Sequence, residues 1–310
     1  MFFLKSKAIV LTSVYAVLTF LVSCATPQAG EPAVKTINGI QQPVLTKPNL
    51  PAVEEPKPIV KLAPAANTAP KVTAPAVIVY DPRTGRVLYE KNARQRRAVA
   101  STQKLLTALL ALEHGIEKTV TVPKEATSVV PSKLYLVPGT QYRVSSLVEA
   151  MLVKSGNDVA YTIGHGVAGS NAAFIQMMNA RARELGMFNS NFKNAHGLTV
   201  AGQYSTAYDI ALLGAAAYRY DYVRQVAKKK ETIFTYAGGR QKTLYNTNKL
   251  LGKVPFCDGL KTGTTRASGN CLVSSATVNG ESRIVVVLGA TSRDNLWKDS
   301  EALLRWSVEN

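Results

Sequence analysis

The chain has 310 residues, 46% of them hydrophobic and 18% charged, a composition that excludes a chain disordered throughout and fits a globular protein with a substantial core. Its formal charge is +17; Lys5 and Lys7 and an excess of two lysines over glutamates in residues 25–75 account for part of this, leaving +13 for residues 76–310. That balance favours an acidic partner such as an anionic membrane or wall polymer, while the basic clusters RQRR (94–97) and KKK (228–230) stand in no nucleic-acid-binding motif, so nucleic acid is not expected.

In chain order, the first feature is a lysine-bearing segment followed by an apolar run that closes on Ser23 and Cys24, the pattern of an export signal. Leu21-Val22-Ser23-Cys24 resembles the lipobox of bacterial lipoproteins. The resemblance implies that residues 1–24 are a signal, that Cys24 is lipidated after cleavage, and that the exported protein faces the periplasm or cell exterior. Each buried acyl CH₂ contributes roughly 0.8 kcal/mol, so several chains would anchor it firmly to a membrane. Residues 25–75 hold ten of the fifteen prolines and no aromatic residue. Such a stretch cannot offset its ordering entropy and is predicted to be a disordered tether, with the folded domain beginning near Ala76.

Within residues 76–310, AVIVYDPRTGRVLYEKN predicts a hairpin, and STQKLLTALLALE a helix opening on Ser101. Residues 123–143 read as loop. VSSLVEAMLVKS predicts a helix that ends at Ser155-Gly156-Asn157, and DVAYTIGHGVAG continues helically. NAAFIQMMNARARELG is a periodic helix closed by Gly186, and TAYDIALLGAAAYRY (206–220) another. Three strands follow, DGLKTGTT, NCLVSSATVN and SRIVVVLGAT, the last two joined at Asn279-Gly280. The amphipathic helix RDNLWKDSEALLRWSV comes last. Strands at both ends with helices between predict an α+β fold: one antiparallel sheet flanked by helices, with a largely helical subdomain.

Ser101 and Lys104 form an unusual helix start. A serine cap is commonly followed three residues later by Glu or Gln; here a lysine sits at the positive end of the helix dipole. The helix is apolar on nearly every face, and no acid lies within four positions of Lys104. Burial and the dipole both lower the pKa of such a lysine. A neutral lysine three residues from a serine shares its helix face and can take the hydroxyl proton. The free backbone N–H at a helix start can serve an oxyanion.

Ser155-Gly156-Asn157 and Lys261-Thr262-Gly263 then follow in the order that serine penicillin-recognising enzymes use. Lys261 would place a second cation near Lys104 and disfavour its protonation, and Gly263 would let a substrate backbone approach the strand. With STQKLLTALLALE, KSGNDVA, ARELGMFNSNFKNAHGL, DGLKTGTT and LGATSRDNLWKDSEALL, residues 76–308 resemble the low-molecular-mass penicillin-binding proteins of the D-alanyl-D-alanine carboxypeptidase family, with their β-lactamase/transpeptidase-like fold. The resemblance implies Ser101 as the acylated nucleophile, Lys104 as its base and Ser155 as the proton shuttle. It implies Asn157, Lys261, Thr262, Gly263 and Arg293 as substrate-binding residues, with Arg293 and Thr262 on the terminal carboxylate. The N–H groups of Ser101 and Thr264 would form the oxyanion hole. Two departures stand out. The family usually has proline where this chain has Ala195, before His196. The β-rich C-terminal domain and anchor of many members have no counterpart before Asn310, and the lipid and tether are expected to replace them.

The remaining candidates are plainer. His114, His165 and His196 lack ligand spacing, so neither a metal nor a cofactor is expected. Cys257 and Cys271 are either a disulfide or two buried thiols, and Tyr218, Tyr220 and Tyr222 are expected to pack a helix end. The expected function is a serine carboxypeptidase that trims D-alanine from peptidoglycan stem peptides and is acylated by β-lactams. A D,D-endopeptidase shares all three motifs. A class A β-lactamase would need a deacylating Glu that the NSNFKNAHGL region lacks. A non-catalytic wall-binding lipoprotein would have no reason to keep Ser101, Lys104, Ser155, Asn157, Lys261 and Thr262 together.

Overall fold

A computed structural model describes residues 34–37, 40–43 and 68–309, in two units that divide between Leu50 and Pro51. In the first, β1 (Val34–Ile37) and β2 (Ile40–Pro43) pair antiparallel, local order within the stretch read as a tether. Cys24 and the signal segment lie outside the described residues.

The second unit opens with the expected hairpin, β3 (Ala76–Tyr80) and β4 (Val87–Lys91). A 3-10 turn at Ala100–Gln103 runs into α1 (Lys104–Gly115). The short strands β5 (Thr119–Thr121) and β6 (Gln141–Arg143) pair across the stretch read as loop. Then come α2 (Val144–Lys154), α3 (Asn157–Ala168), α4 (Asn171–Glu184), α5 (Ala207–Tyr218) and α6 (Asp221–Ala227). A second hairpin, β7 (Glu231–Thr235) and β8 (Gln241–Tyr245), precedes β9 (Cys257–Thr265), β10 (Gly269–Val278), β11 (Glu281–Ala290) and α7 (Arg293–Glu309).

The large sheet is antiparallel in the order β4-β3-β11-β10-β9, so the first and last strands of the domain are neighbours, with Val77 opposite Val287. Both faces are covered, which is why β3 and β11 read as continuous apolar runs and not as alternating ones. Ile78, Val273, Ile284 and Val286 face the core shared with α1 and α5; Val77, Val79, Leu272 and Val287 face Leu303, Leu304 and Trp306 of α7. The fold is α+β, with α2, α3 and α4 forming the helical part.

Several details go beyond the sequence reading. The α-helix starts at Lys104, because Ser101 belongs to the 3-10 turn and caps nothing with its side chain. The pair β5 and β6 was hidden because three-residue strands with one buried residue each give no readable alternation. Pair β7 and β8 likewise buries only one residue in each strand, Phe234 and Leu244, and α6 is only seven residues long. Packing also begins before Ala76: one carboxylate oxygen of Asp299 on α7 accepts from Thr73 N (3.0 Å), Thr73 Oγ1 (2.9 Å) and Ala74 N (2.7 Å). That anchor is polar and 225 residues distant in sequence, so no apolar pattern announces it.

Candidate active site

Each of the three sequence motifs carries a left-handed, non-glycine residue at or just before it: Ala100 (φ 48°), Ser155 (φ 69°) and Leu260 (φ 89°). Such backbones cost about 1–3 kcal/mol each and persist only where packing fixes them. At Ala100 the turn sets Ser101 ahead of α1. At Ser155 the αL residue ends α2 and accommodates the sharp turn into α3. At Leu260 it follows a register shift in the β9–β10 ladder, where Gly259 faces Ser275 but Cys257 faces Ala276, and this re-aims the Lys261 side chain.

Lys104 is fully buried, and its Nζ lies 2.8 Å from Ser101 Oγ, 2.7 Å from Asn157 Oδ1 and 2.5 Å from the carbonyl oxygen of His196. Burial, then the nearby Lys261, hold its pKa well below the ordinary lysine value, against a smaller opposing pull from Asp158. A neutral amine has two N–H donors and one lone pair. Two of its partners, Asn157 Oδ1 and His196 O, can only accept. In the neutral form the N–H bonds go to them, and the lone pair faces the one partner with a proton to give, Ser101.

The carbonyl from His196 belongs to a clamp that sequence reasoning missed. Three consecutive carbonyls, from Asn194, Ala195 and His196, accept from Gln103 (2.6 Å), Thr107 (2.6 Å) and Lys104 (2.5 Å), all on or just before α1. Asn194 Oδ1 also accepts from the N–H groups of His196 (3.2 Å) and Gly197 (2.7 Å). The loop that lacks the expected proline is thus held by side chains. Gly197 is required there, since its φ is +90° and a Cβ would come within 2.1 Å of Ala100 O. His196 itself is neutral: burial, then Lys104, lower its pKa to about 3.

Lys261 is 1% exposed, and burial lowers its pKa to about 7. Its Nζ donates to Thr262 O at 3.1 Å. The Thr262 hydroxyl lies 2.6 Å from that of Thr247. Gly263 lets β9 lie against the nucleophile, since a Cβ there would stand 2.8 Å from Ser101 N and 3.0 Å from Ala100 Cβ. A cleft of about 620 Å³ runs across this junction, lined by Ser101, Ser155, Asn157, Thr262, Thr264 and Arg293 among others. Lys104 and Lys261 lie beneath its floor, and Arg293 enters from the start of α7.

Other candidates fall elsewhere. His114 ends α1 and His165 lies near the end of α3, and no cluster of metal-ligating side chains occurs among the described residues. Cys257 and Cys271 are free and buried. They sit on adjacent strands but on opposite faces of the sheet, Cys271 toward α5 and Cys257 toward α7, so they cannot bond to each other. Tyr218 donates to Asp258 (2.7 Å), Tyr220 to Glu113 (3.2 Å) and Tyr222 to Ser145 O (2.7 Å), away from the cleft.

Known proteins resemble this chain in sequence and fold. The family model for D-alanyl-D-alanine carboxypeptidases matches residues 63–292. The chain is 39% identical over 251 residues to the D-alanyl-D-alanine carboxypeptidase DacC of Escherichia coli, covering 77% of this chain and 62% of that one. It is 34% identical over 225 residues to DacF of Bacillus subtilis, covering 71% and 58%; it therefore spans about three fifths of the length of these relatives. Among solved structures, a D-alanyl-D-alanine carboxypeptidase from Mycobacterium tuberculosis superposes with a TM-score of 0.75 at 27% identity, covering 81% of this chain and 97% of that one. The Streptomyces K15 DD-transpeptidase gives 0.74 at 28%, covering 79% and 100%. With the family match spanning most of the residues that hold the cleft together, this chain belongs to the D-alanyl-D-alanine carboxypeptidase family.

Proposed function

We propose that the chain is a serine D-alanyl-D-alanine carboxypeptidase that trims the terminal D-alanine from peptidoglycan stem peptides. The observation that carries the reading is the buried Lys104 amine, 2.8 Å from Ser101 Oγ with both N–H positions taken by carbonyl oxygens. Neutral Lys104 takes the Ser101 proton as Oγ attacks the D-Ala–D-Ala carbonyl. The N–H groups of Ser101 and Thr264 receive the oxyanion. Thr262 and Arg293 hold the terminal carboxylate, with the buried Lys261 ammonium attracting it electrostatically, and Asn157 holds the substrate amide. Ser155 relays to the departing amine the proton that Lys104 took, the amide C–N bond breaks, and D-alanine leaves. Water then hydrolyses the Ser101 ester, the proton returning through Lys104.

A β-lactam meets the same nucleophile and remains as a stable acyl group. Fluorescent penicillin is expected to label the chain covalently, and the Ser101→Ala variant not at all. Equal labelling of both would overturn the assignment of the nucleophile. Released D-alanine from a pentapeptide, measured against cleavage of a cross-linked dimer, separates trimming from endopeptidase action.

We further propose that a lipid on Cys24 holds the enzyme at a membrane facing the wall, the reading that the LVSC sequence supports. Metabolic labelling with palmitate is expected to mark the parent chain; a Cys24→Ala variant that still takes up label would sink this reading.

A further inference from the structure

The cleft carries positive charge with no partner. Lys154, Lys249 and Arg293 line it, and the acid that lines it, Asp294, adjoins Arg293 at the start of α7. Neither Lys154 nor Lys249 makes an ion pair or side-chain hydrogen bond among the described residues. The segments that bear them are fastened side by side, since the N–H of Thr247 donates to Val153 O at 3.3 Å. The same threonine reaches Thr262 through its hydroxyl at 2.6 Å, so the two lysines flank the Thr262 end of the cleft. Lys229, by contrast, is neutralised by Glu149 at 2.6 Å.

We propose that this end of the cleft is a subsite for a leaving group that carries a second carboxylate, an acidic D-amino acid. The inference rests on the D,D-peptidase reading, in which Thr262 receives the leaving group's α-carboxylate. D-Alanine brings one carboxylate, for which Thr262, Lys261 and Arg293 suffice, and Lys154 and Lys249 would then meet no anion. A leaving group with a second carboxylate gives them one. The chemistry is unchanged: the Ser101 Oγ–acyl bond forms, the amide C–N bond breaks, and the departing amine takes the proton.

The test uses two peptides with one donor, ending in D-Ala–D-Glu or D-Ala–D-Gln, which differ in charge and hardly in shape. The released amino acid gives kcat/KM for each. A preference of about fivefold for D-Glu is expected at low salt, the scale of two exposed charge pairs. It should shrink toward unity at about 0.5 M salt, where such pairs are screened. It should also vanish in the Lys154→Gln/Lys249→Gln double variant, where the D-Gln peptide serves as internal reference. Binding of both peptides to the Ser101→Ala chain by calorimetry should give the same preference without turnover. Equal handling of the two peptides by the parent at low salt, or a preference that survives in the double variant, overturns the subsite. Penicillin labelling reports on Ser101 separately: labelling without a D-Glu preference overturns the subsite and leaves the peptidase reading standing. A preference in binding with neither labelling nor turnover does the reverse.

Discussion

Lys104 and Lys261 are the same residue type at the same depth, and burial lowers the pKa of both. What separates them is the set of atoms each amine meets. Lys104 sits among two carbonyl oxygens and one hydroxyl, all within 2.8 Å, so once burial and Lys261 have disfavoured its charge, its lone pair falls on Ser101. Lys261 reaches Thr262 O at 3.1 Å and keeps donor capacity in hand, which suits an ammonium that meets an incoming anion. The two also depend on each other, since the charge on Lys261 is one of the causes that lower Lys104. Burial alone therefore does not assign a lysine's task; the identity of the groups its amine meets does, a hydroxyl with a proton to give at Lys104 and a backbone carbonyl at Lys261.

The largest effect should follow from removing the base. Lys104→Met keeps the bulk and loses the lone pair, and acylation by penicillin should slow about 10³-fold, within the span of general-base contributions. Lys104→Arg should fare no better, because a guanidinium cannot give up its proton near neutral pH. A Lys104→Met chain that acylates at a rate close to the parent's would move the base elsewhere and end the contrast between the two lysines.

Lys261→Met should lower kcat/KM on D-Ala–D-Ala peptides about a hundredfold, the scale of one lost donor in an active site. Its pH profile is the sharper test. Activity needs Lys104 neutral, so it rises with pH through the Lys104 pKa; it needs Lys261 charged, so it falls as pH passes about 7. The pair titrates as a unit, and the profile reports macroscopic values. In Lys261→Met the alkaline limb near 7 should disappear. The acid limb should move to higher pH, because one of the causes that depress Lys104 has gone. An alkaline limb unchanged by the substitution would assign it to another group.

The parts of this arrangement legible in the sequence are the local ones. Ser101 and Lys104 are three residues apart, so one turn of chain brings them together, and the apolar run after them announces the burial that lowers Lys104. Ser155 and Asn157 lie in a single turn between helices that periodicity locates. The rest depends on contacts between distant segments. The carbonyl of His196 that completes the Lys104 site lies 92 residues away, and nothing in NAHGL marks a backbone oxygen as a partner. Thr247 reads as an ordinary loop residue until β8 brings it to Thr262. Which faces Cys257 and Cys271 occupy depends on strand pairing and on the shift near Leu260, so spacing along the chain could not tell a disulfide from two thiols. Arg293 was legible through the family resemblance, and its entry into the cleft follows from where β11 delivers α7.

The smallest expected effect probes the one interaction that opposes the depression of Lys104. Asp158 is 2% exposed, and its carboxylate accepts from Leu134 N (3.0 Å), Leu136 N (3.1 Å) and Val159 N (3.0 Å). It thereby pins the segment whose Ser132 carbonyl accepts from Asn157 N at 2.7 Å and whose Val130 carbonyl accepts from Asn157 Nδ2 at 2.9 Å. Asn157 in turn holds Lys104. Asp158→Asn keeps one accepting oxygen and points an NH₂ at backbone N–H groups, so about 1–3 kcal/mol of stability should be lost. Thermal unfolding should register this as a fall of about 2–4 °C for each kcal/mol. The same change removes the nearby negative charge that raises the Lys104 pKa. The acid limb of acylation should therefore move to lower pH, opposite to its movement in Lys261→Met. Two single substitutions that shift one limb in opposite directions would mark Lys104 as the group that titrates there. A shift in the same direction in both would assign the limb to something other than this amine.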